Sequence, residues 1–235
     1  MKAVIQAGGK GTRLRPFTVV LPKPLVPVGD VPIIEILLRW LCRGGVEEAF
    51  ITLGYLGKII RAACGDGSEY GLPITYVQED TPLNTVGALR LVGRERLSET
   101  FFSLNGDILT DLNLRELAAF HKAHGGVLTV ATTKKDIPTN LGVMDIERDR
   151  ITAFREKPVL HQTVSMGVYC MEPEILEYIP EKVPFGFDDL MYALLDRNIP
   201  IYAYPHEGLW MDLGRPQDFA GAQEAIAKNQ SLLRE

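Results

Sequence analysis

Cysteine is scarce in this 235-residue chain: Cys42, Cys64 and Cys170 are the whole complement, and none belongs to a CxxC pair. An odd number leaves one unpaired in any disulfide scheme, so reduced, core-type thiols in a cytoplasmic protein are expected. Long apolar runs are missing too. The stretch from Met1 to Ala7 gives way to glycine too soon for a signal peptide, and no later run reaches the roughly 20 residues that span a bilayer. Positive charge is not in excess: 25 Lys and Arg stand against 30 Asp and Glu, a net charge of -5. No basic footprint for nucleic acid or an anionic membrane follows, so neither is expected as a partner. Small anionic ligands stay open, because a few cations and backbone amides suffice for them. Repeats, low-complexity tracts and Gly/Ser-rich linkers are also lacking. With 46% hydrophobic and 23% charged residues, the chain reads as one domain over 1–235.

What is present alternates. Residues 2–7 read as a buried strand and 31–42 as an apolar helix with Pro32 in its first turn. A strand at 49–53 precedes a helix at 55–64, which stops at Gly65-Asp66-Gly67. Short apolar strands follow at 74–78 and 101–104. An amphipathic helix over 112–124 puts Leu114, Leu117, Ala118 and His121 on one face, with Asp111 as its expected N-cap. This alternation predicts an α/β fold, a mostly parallel sheet flanked by helices. After Val127 the rhythm changes to strands at 127–132, 143–146, 151–154 and 168–171, which predicts antiparallel or mixed pairing. Helices at 188–195 and 216–227 finish the chain.

The sharpest local feature is Ala7-Gly8-Gly9-Lys10-Gly11-Thr12-Arg13-Leu14, directly after the first strand. Without Cβ atoms, backbone amides in such a turn can converge on an anion. It is not a P-loop, which needs Gly-Lys-Ser/Thr where Gly-Thr-Arg stands. It is not the dinucleotide fingerprint either, which needs glycine at Leu14 and an opening helix. That argues against an NAD-dependent dehydrogenase. Pro16, Pro22, Pro24 and Pro27 forbid a regular helix, so the loop is expected to run extended across the sheet edge.

The run from Gly8 to Pro16, followed by Leu21-Pro22-Lys23-Pro24-Leu25-Val26-Pro27-Val28, closely resembles the nucleotidyl transferase family, which makes nucleotide sugars on a Rossmann-like core. The resemblance extends from residue 2 to about residue 225. It implies that Ala7, Gly8, Gly9, Gly11 and Thr12 wrap a triphosphate, that Arg13 holds the departing pyrophosphate and that Lys23 reaches the reacting phosphates. It also implies a nucleotide-binding half over about 1–130 and a smaller sugar-phosphate-binding half over 131–235. Some relatives carry a C-terminal β-helix or an acetyltransferase domain. This chain closes on a helix, and a stand-alone transferase without either is expected.

Other segments resemble the family in turn. Gln78-Glu79-Asp80-Thr81-Pro82-Leu83-Asn84-Thr85-Val86-Gly87 looks like its base-recognition segment, which implies that Gln78 reads the base and that Thr85 and Gly87 approach the nucleoside. Asn84 stands where the family has glycine. Asn105-Gly106-Asp107 and Leu209-Trp210-Met211-Asp212-Leu213-Gly214 match acidic motifs, implying Asp107 and Asp212 as ligands of one Mg²⁺. Magnesium takes one or two carboxylates plus phosphate oxygens and water. In Phe154-Arg155-Glu156-Lys157-Pro158 the resemblance gives Lys157 the sugar phosphate and Glu156 a sugar hydroxyl, with Gly142 and Ser165 lining the sugar pocket. The activity implied is direct attack of a sugar 1-phosphate on a nucleoside triphosphate, catalysed by Arg13, Lys23, Asp107 and Lys157 without a protein nucleophile. The base segment is most similar to guanylyltransferases, which favours GTP with mannose 1-phosphate or a related sugar. Thymidylyl or uridylyl transfer to glucose 1-phosphate, a catalytically silent regulatory subunit and a homo-oligomer stay open.

Overall fold

The computed structural model describes residues 1–228. Among them the chain runs β1 (Lys2–Gln6), β2 (Pro27–Val28), β3 (Val31–Pro32), α1 (Ile33–Arg43), β4 (Glu48–Leu53), α2 (Gly57–Cys64), β5 (Ile74–Gln78), α3 (Asn84–Gly87), α4 (Leu89–Val92), β6 (Phe101–Asn105), β7 (Ile108–Thr110), α5 (Leu114–His124), β8 (Leu128–Pro138), β9 (Val143–Glu147), β10 (Arg150–Arg155), β11 (Val159–Met171), α6 (Phe187–Leu195), β12 (Ile201–Pro205), β13 (Trp210–Asp212) and α7 (Pro216–Lys228). A seven-stranded sheet has the order β12-β8-β11-β6-β1-β4-β5. Strands β6, β1, β4 and β5 are parallel, β11 runs antiparallel to β6 and β8, and β12 is parallel to β8. The expected α/β fold with a mixed, mostly parallel sheet is therefore present, and both halves of the chain supply strands to one sheet.

Strand β1 explains the two layers. Ala3, Val4 and Ile5 are all fully buried, yet successive side chains must face opposite ways. Ala3 and Ile5 pack with Ile33, Leu37 and Leu41 of α1, while Val4 packs with Phe50, Leu89, Phe101 and Leu190 on the other face. A strand covered on both faces reads as a continuous apolar run, as here.

Local expectations needed four adjustments. Pro32 is the N-cap of α1 rather than a residue of its first turn, and the helix begins at Ile33. Asp111 does not cap α5: the Asn113 side chain accepts from the N–H groups of Arg115 and Glu116 instead. The glycine loop does not run extended. It folds into short 3₁₀ turns at Thr12–Leu14, Phe17–Val19 and Lys23–Leu25, with Pro16 and Pro22 as N-caps of the second and third, Pro24 inside the third and Pro27 in β2, because proline's fixed φ suits a turn as well as extended chain. Strands β8 and β11 are also far longer than expected, pairing from Met171↔Leu128 out to Val159↔Pro138. Of the three free cysteines, Cys64 and Cys170 are buried and Cys42 is half-buried. Burial pushes the Cys64 thiol up to about 11 and that of Cys170 up to about 12.

His121 is buried under the far end of the sheet. Its Nε2 lies 3.2 Å from Glu172 Oε1 and its Nδ1 lies 2.7 Å from Thr129 Oγ1. Burial holds the ring below its ordinary value of 6.5, with Glu172 offsetting part of the shift. The unfolded chain therefore takes up a proton at this position before the folded one does, and stability falls as pH drops below about 6.5. Thermal melts between pH 7.5 and 5 should show a shallower fall in His121→Gln than in the wild type. Parallel slopes would remove His121 from that dependence.

Candidate active site

The parallel strands deliver their carboxyl ends to one edge, where Gln6 pairs with Thr52 on one side and Asn105 on the other. Beyond this edge lie two adjoining chambers that share Gln6, Gly9 and Thr85. One, of about 300 Å³, is lined by Gly8, Glu79, Pro82, Asn84 and Asp188 among others. The second, of about 230 Å³, includes Gly11, Arg13, Lys23, Asn105 and Asp107. Clefts at the carboxyl ends of α/β strands are where such sheets bind ligands.

The glycine loop is shaped by what touches it. Gly11 has φ +58°, and a Cβ there would lie 3.0 Å from Thr18 and 3.2 Å from Lys23. The Thr18 hydroxyl donates to the Gly11 carbonyl at 2.8 Å, so the loop folds back on its own continuation. That return carries Lys23 beneath the loop. Lys23 is 9% exposed and forms an ion pair with Asp107.

Asp107 and Asp212 are brought together by a separate two-stranded ladder. Strands β7 and β13 pair antiparallel with Asp212 opposite Ile108, and the Leu213 N–H donates to the Asp107 carbonyl at 2.9 Å. Burial, then Asp107, raises the Asp212 carboxyl above the usual carboxylate range, with Lys23 and Arg13 pulling the other way. Arg13 rests against the turn after β13, where a Cβ on Gly214 would lie 3.0 Å from its guanidinium. Four of the residues expected to act on phosphates thus form one cluster, two cations and two carboxylates. The pair of oxygen donors fits a divalent cation of the magnesium type, which completes its shell with water and substrate phosphate. Among the described residues no third His, Cys, Asp or Glu joins them.

The sugar-side residues are only partly gathered. Gly167 lies against a residue of the cleft wall and Ser165 lies beside it: a Cβ on Gly167 would lie 2.6 Å from the Asn105 amide, and the Gly167 N–H donates to Ser165 Oγ, but neither residue lines the chambers. Gly142, Glu156 and Lys157 sit together on the β9–β10 hairpin. A Cβ on Gly142 would lie 3.4 Å from Glu156 Oε2, and Lys157 Nζ lies 3.8 Å from Glu156 Oε1. Both charged side chains are more than 60% exposed, and neither lines the chambers.

In the base segment, Asn84 has φ +60°, a conformation asparagine tolerates better than most residues. Thr85 borders both chambers, and its hydroxyl accepts from the Phe187 N–H at 3.1 Å. Gly87 is buried, and its N–H donates to the Phe185 carbonyl at 2.9 Å. That makes it a seat for the segment before α6. Gln78 is exposed and its amide is taken up by two backbone carbonyls, Leu53 and Glu79, both at 3.1 Å. Sequence reasoning passed over Gln6, Asn105, Glu79, Tyr169 and Asp188. Tyr169 is buried and stacked on Phe187 at 4.2 Å. Burial, and less so Asp107, pushes its hydroxyl up to about 12, so it stays a neutral donor beside the cluster. Asn105 and Glu79 at strand ends were the only signals available for these.

The sequence model described as nucleotidyl transferase matches residues 2–229. The chain is 37% identical over 227 residues to the mannose-1-phosphate guanyltransferase of Candida albicans, covering 93% of this chain and 62% of that protein. The Saccharomyces cerevisiae protein of the same name is also 37% identical, with 93% and 63% covered. The chain therefore spans somewhat under two thirds of the length of these relatives. Among solved structures, a Bacillus anthracis protein provisionally named a glucose-1-phosphate thymidylyltransferase superposes with TM-score 0.79 at 25% identity, covering 96% of this chain and 94% of that one. HddC from Yersinia pseudotuberculosis has the same fold, with TM-score 0.76 at 24% identity over 96% of this chain and 99% of that one.

Proposed function

This chain belongs to the nucleotidyl transferase family, and from that premise we propose that it joins a nucleoside triphosphate to a sugar 1-phosphate and releases pyrophosphate. The observation that carries the reading is the cluster of Arg13, Lys23, Asp107 and Asp212 at the mouth of the strand-end cleft. A nonbridging oxygen of the sugar phosphate attacks the α-phosphorus in line, a new P–O bond forms, and the bond from the α-phosphorus to the β-bridging oxygen breaks. The departing electron pair stays on pyrophosphate. A phosphate monoester is already ionised near neutral pH, so no protein nucleophile is required.

The roles follow from the family resemblance, and on the phosphate side the placement of the residues supports them. The backbone of residues 7–12 cradles the phosphates, Arg13 takes the charge that develops on pyrophosphate, and Lys23 neutralises the reacting phosphates from below. Asp107 and Asp212 hold a divalent cation, Mg²⁺ in our reading. When bound, that ion neutralises phosphate charge at the reacting centre. Lys157 binds the sugar phosphate and Glu156 a sugar hydroxyl, with Gly142 and Ser165 completing the sugar side. Because both charged residues sit on an exposed hairpin, we infer that they close on the sugar phosphate when it arrives. The names of the relatives support guanylyl transfer to mannose 1-phosphate as the particular reaction.

The reverse direction gives a direct test. Supplied with GDP-mannose, pyrophosphate and Mg²⁺, the protein should form GTP and mannose 1-phosphate. No triphosphate from that or any other common nucleotide sugar would overturn the proposal. A second expectation concerns the sugar side alone. Lys157→Ala should raise the KM for sugar phosphate about ten- to a hundredfold, the loss of one charge-assisted contact, and leave that for triphosphate nearly unchanged. Equal weakening of both would put Lys157 on the other side of the cleft.

A further inference from the structure

Strands β9 and β10 pair only with each other, and a lone two-stranded hairpin is marginally stable in water. The register sets Met144 opposite Phe154 and Ile146 opposite Ile151, and a bulge between Ile151 and Ala153 keeps both pairs on one face. Cross-strand partners meet side by side, so the four form a continuous apolar stripe. Each is between 50% and 65% exposed. The other face is polar, with Arg155 donating to both carboxylate oxygens of Asp145 at 2.8 and 2.9 Å. The turn supplies a second observation. Arg148 and Asp149 have φ +46° and +70°, the backbone of a two-residue turn that ordinarily takes Asn-Gly. Strain of this kind persists where surrounding structure holds it. Both residues are exposed, so within one copy little is there to hold them.

A large free side chain presents roughly 200 Å², so the stripe leaves on the order of 450 Å² of apolar surface. A patch of that size is at the upper end of what monomers expose. A standard interface takes about 800 Å² from each partner, as an apolar core inside a polar rim. The stripe is suited to be that core, and the turn to be part of the rim. Glu147, Arg148, Asp149 and Arg150 alternate in sign and cancel. Such a balance gives a strongly charged partner no advantage, and it does not repel a copy of itself. We infer that this face of the β9–β10 hairpin is the interface of a homodimer, the stripe of one copy laid on the stripe of a second about a two-fold axis. Sheets packed face to face stand about 10 Å apart, a gap that Met, Ile and Phe side chains from both copies fill. The turn then gains the neighbours that its backbone calls for.

The test is sedimentation velocity over a dilution series of the wild type, of the double variant Ile146→Glu with Ile151→Lys, and of Leu195→Glu. The double variant puts opposite charges on directly paired positions, which a hairpin tolerates, and it removes half of the stripe. Leu195, a comparably exposed apolar residue on α6, serves as the control. At about 10 µM, toward the weak end for interfaces of standard size, the wild type should sediment at twice the chain's 26.1 kDa. The double variant should raise the dissociation constant about a hundredfold or more, the scale of lost hot-spot contacts. Its thermal melt should hardly move, and Leu195→Glu should stay dimeric. Hydrogen exchange of the wild type needs no variant: amides over 143–155 should exchange faster as dilution separates the copies. A wild type still monomeric at about 100 µM would overturn the inference, whether the face then docks another protein or folds back over the cleft. A dimer that survives the double variant, or one that Leu195→Glu breaks, would place the interface elsewhere and overturn it as well. None of these readouts depends on turnover, so this inference and the transferase reading fail separately.

Discussion

Asparagine at position 107 or 212 lowers turnover roughly a hundredfold or more at limiting Mg²⁺, the scale expected when charge neutralisation at a phosphate is lost. The two losses are not additive in the double variant, because both residues serve one ion. Excess Mg²⁺ partly restores each single variant. Stability moves the opposite way at one of the two positions. Burial, and then Asp107, holds the Asp212 carboxyl above the usual range, so the folded protein binds that proton more tightly than the unfolded chain. A raised carboxyl costs stability as pH rises through its folded value, and the cost vanishes in acid below the unfolded value. Asp212→Asn in metal-free protein therefore melts higher than wild type at pH 7, and the gain disappears near pH 3. A mere turn aspartate would give a lower melting temperature, unchanged Mg²⁺ half-saturation and additive losses. Mg²⁺ titrations of initial rate, with melts at both pH values, separate the two accounts.

Lys23→Met produces the other large effect. The lysine is almost wholly covered and paired with Asp107, and methionine keeps its length without its charge. Turnover falls about a hundred- to a thousandfold, as when one preorganised donor to a developing charge is removed. Stability also falls, by up to about 3 kcal/mol, because Asp107 and Asp212 are left facing each other with less positive charge between them. Adding Asp212→Asn to Lys23→Met returns part of the stability and none of the activity. Denaturant melts and initial rates on the two variants check this. A destabilised Lys23→Met protein with full turnover per folded molecule would reduce Lys23 to a structural counter-ion.

The glycine loop, the two acidic motifs and the alternation of the first half were legible because each depends on local chain chemistry: proline and glycine torsions, apolar periodicity, a carboxylate at a strand end. What was not legible depends on direction and on distant pairing. Gln78 and Glu79 are neighbours at the end of β5, and side chains alternate along a strand. Which of the two borders the chamber is set by that alternation and not by the local chemistry of the segment. The meeting of Asp107 with Asp212 rests on the β7–β13 ladder, whose strands lie about a hundred residues apart and carry no local mark of their partnership. The outer lengths of β8 and β11 escaped for a different reason. Lys134, Lys135 and Asp136 pair with Thr163, Gln162 and His161, and a ribbon that is polar on both strands shows no alternation to detect. At α5, Asp111 and Asn113 were both chemically suitable caps. The helix begins at Leu114, so the cap position falls on Asn113, and Asp111, two residues earlier, meets His206 Nε2 at 2.9 Å instead.

The most direct measurement of the central claim is pyrophosphate release in the forward direction, with every common nucleoside triphosphate crossed against several sugar 1-phosphates and each substrate also supplied alone. The cluster of two cations and two carboxylates lies at the mouth of a cleft, and it is proposed to act on two phosphates at once. Release should therefore require both substrates and Mg²⁺ together, and it should be fastest with GTP and mannose 1-phosphate. Each pyrophosphate released should be matched by one nucleotide sugar. Release from a triphosphate alone at the same rate, or no release from any pair, would contradict the account.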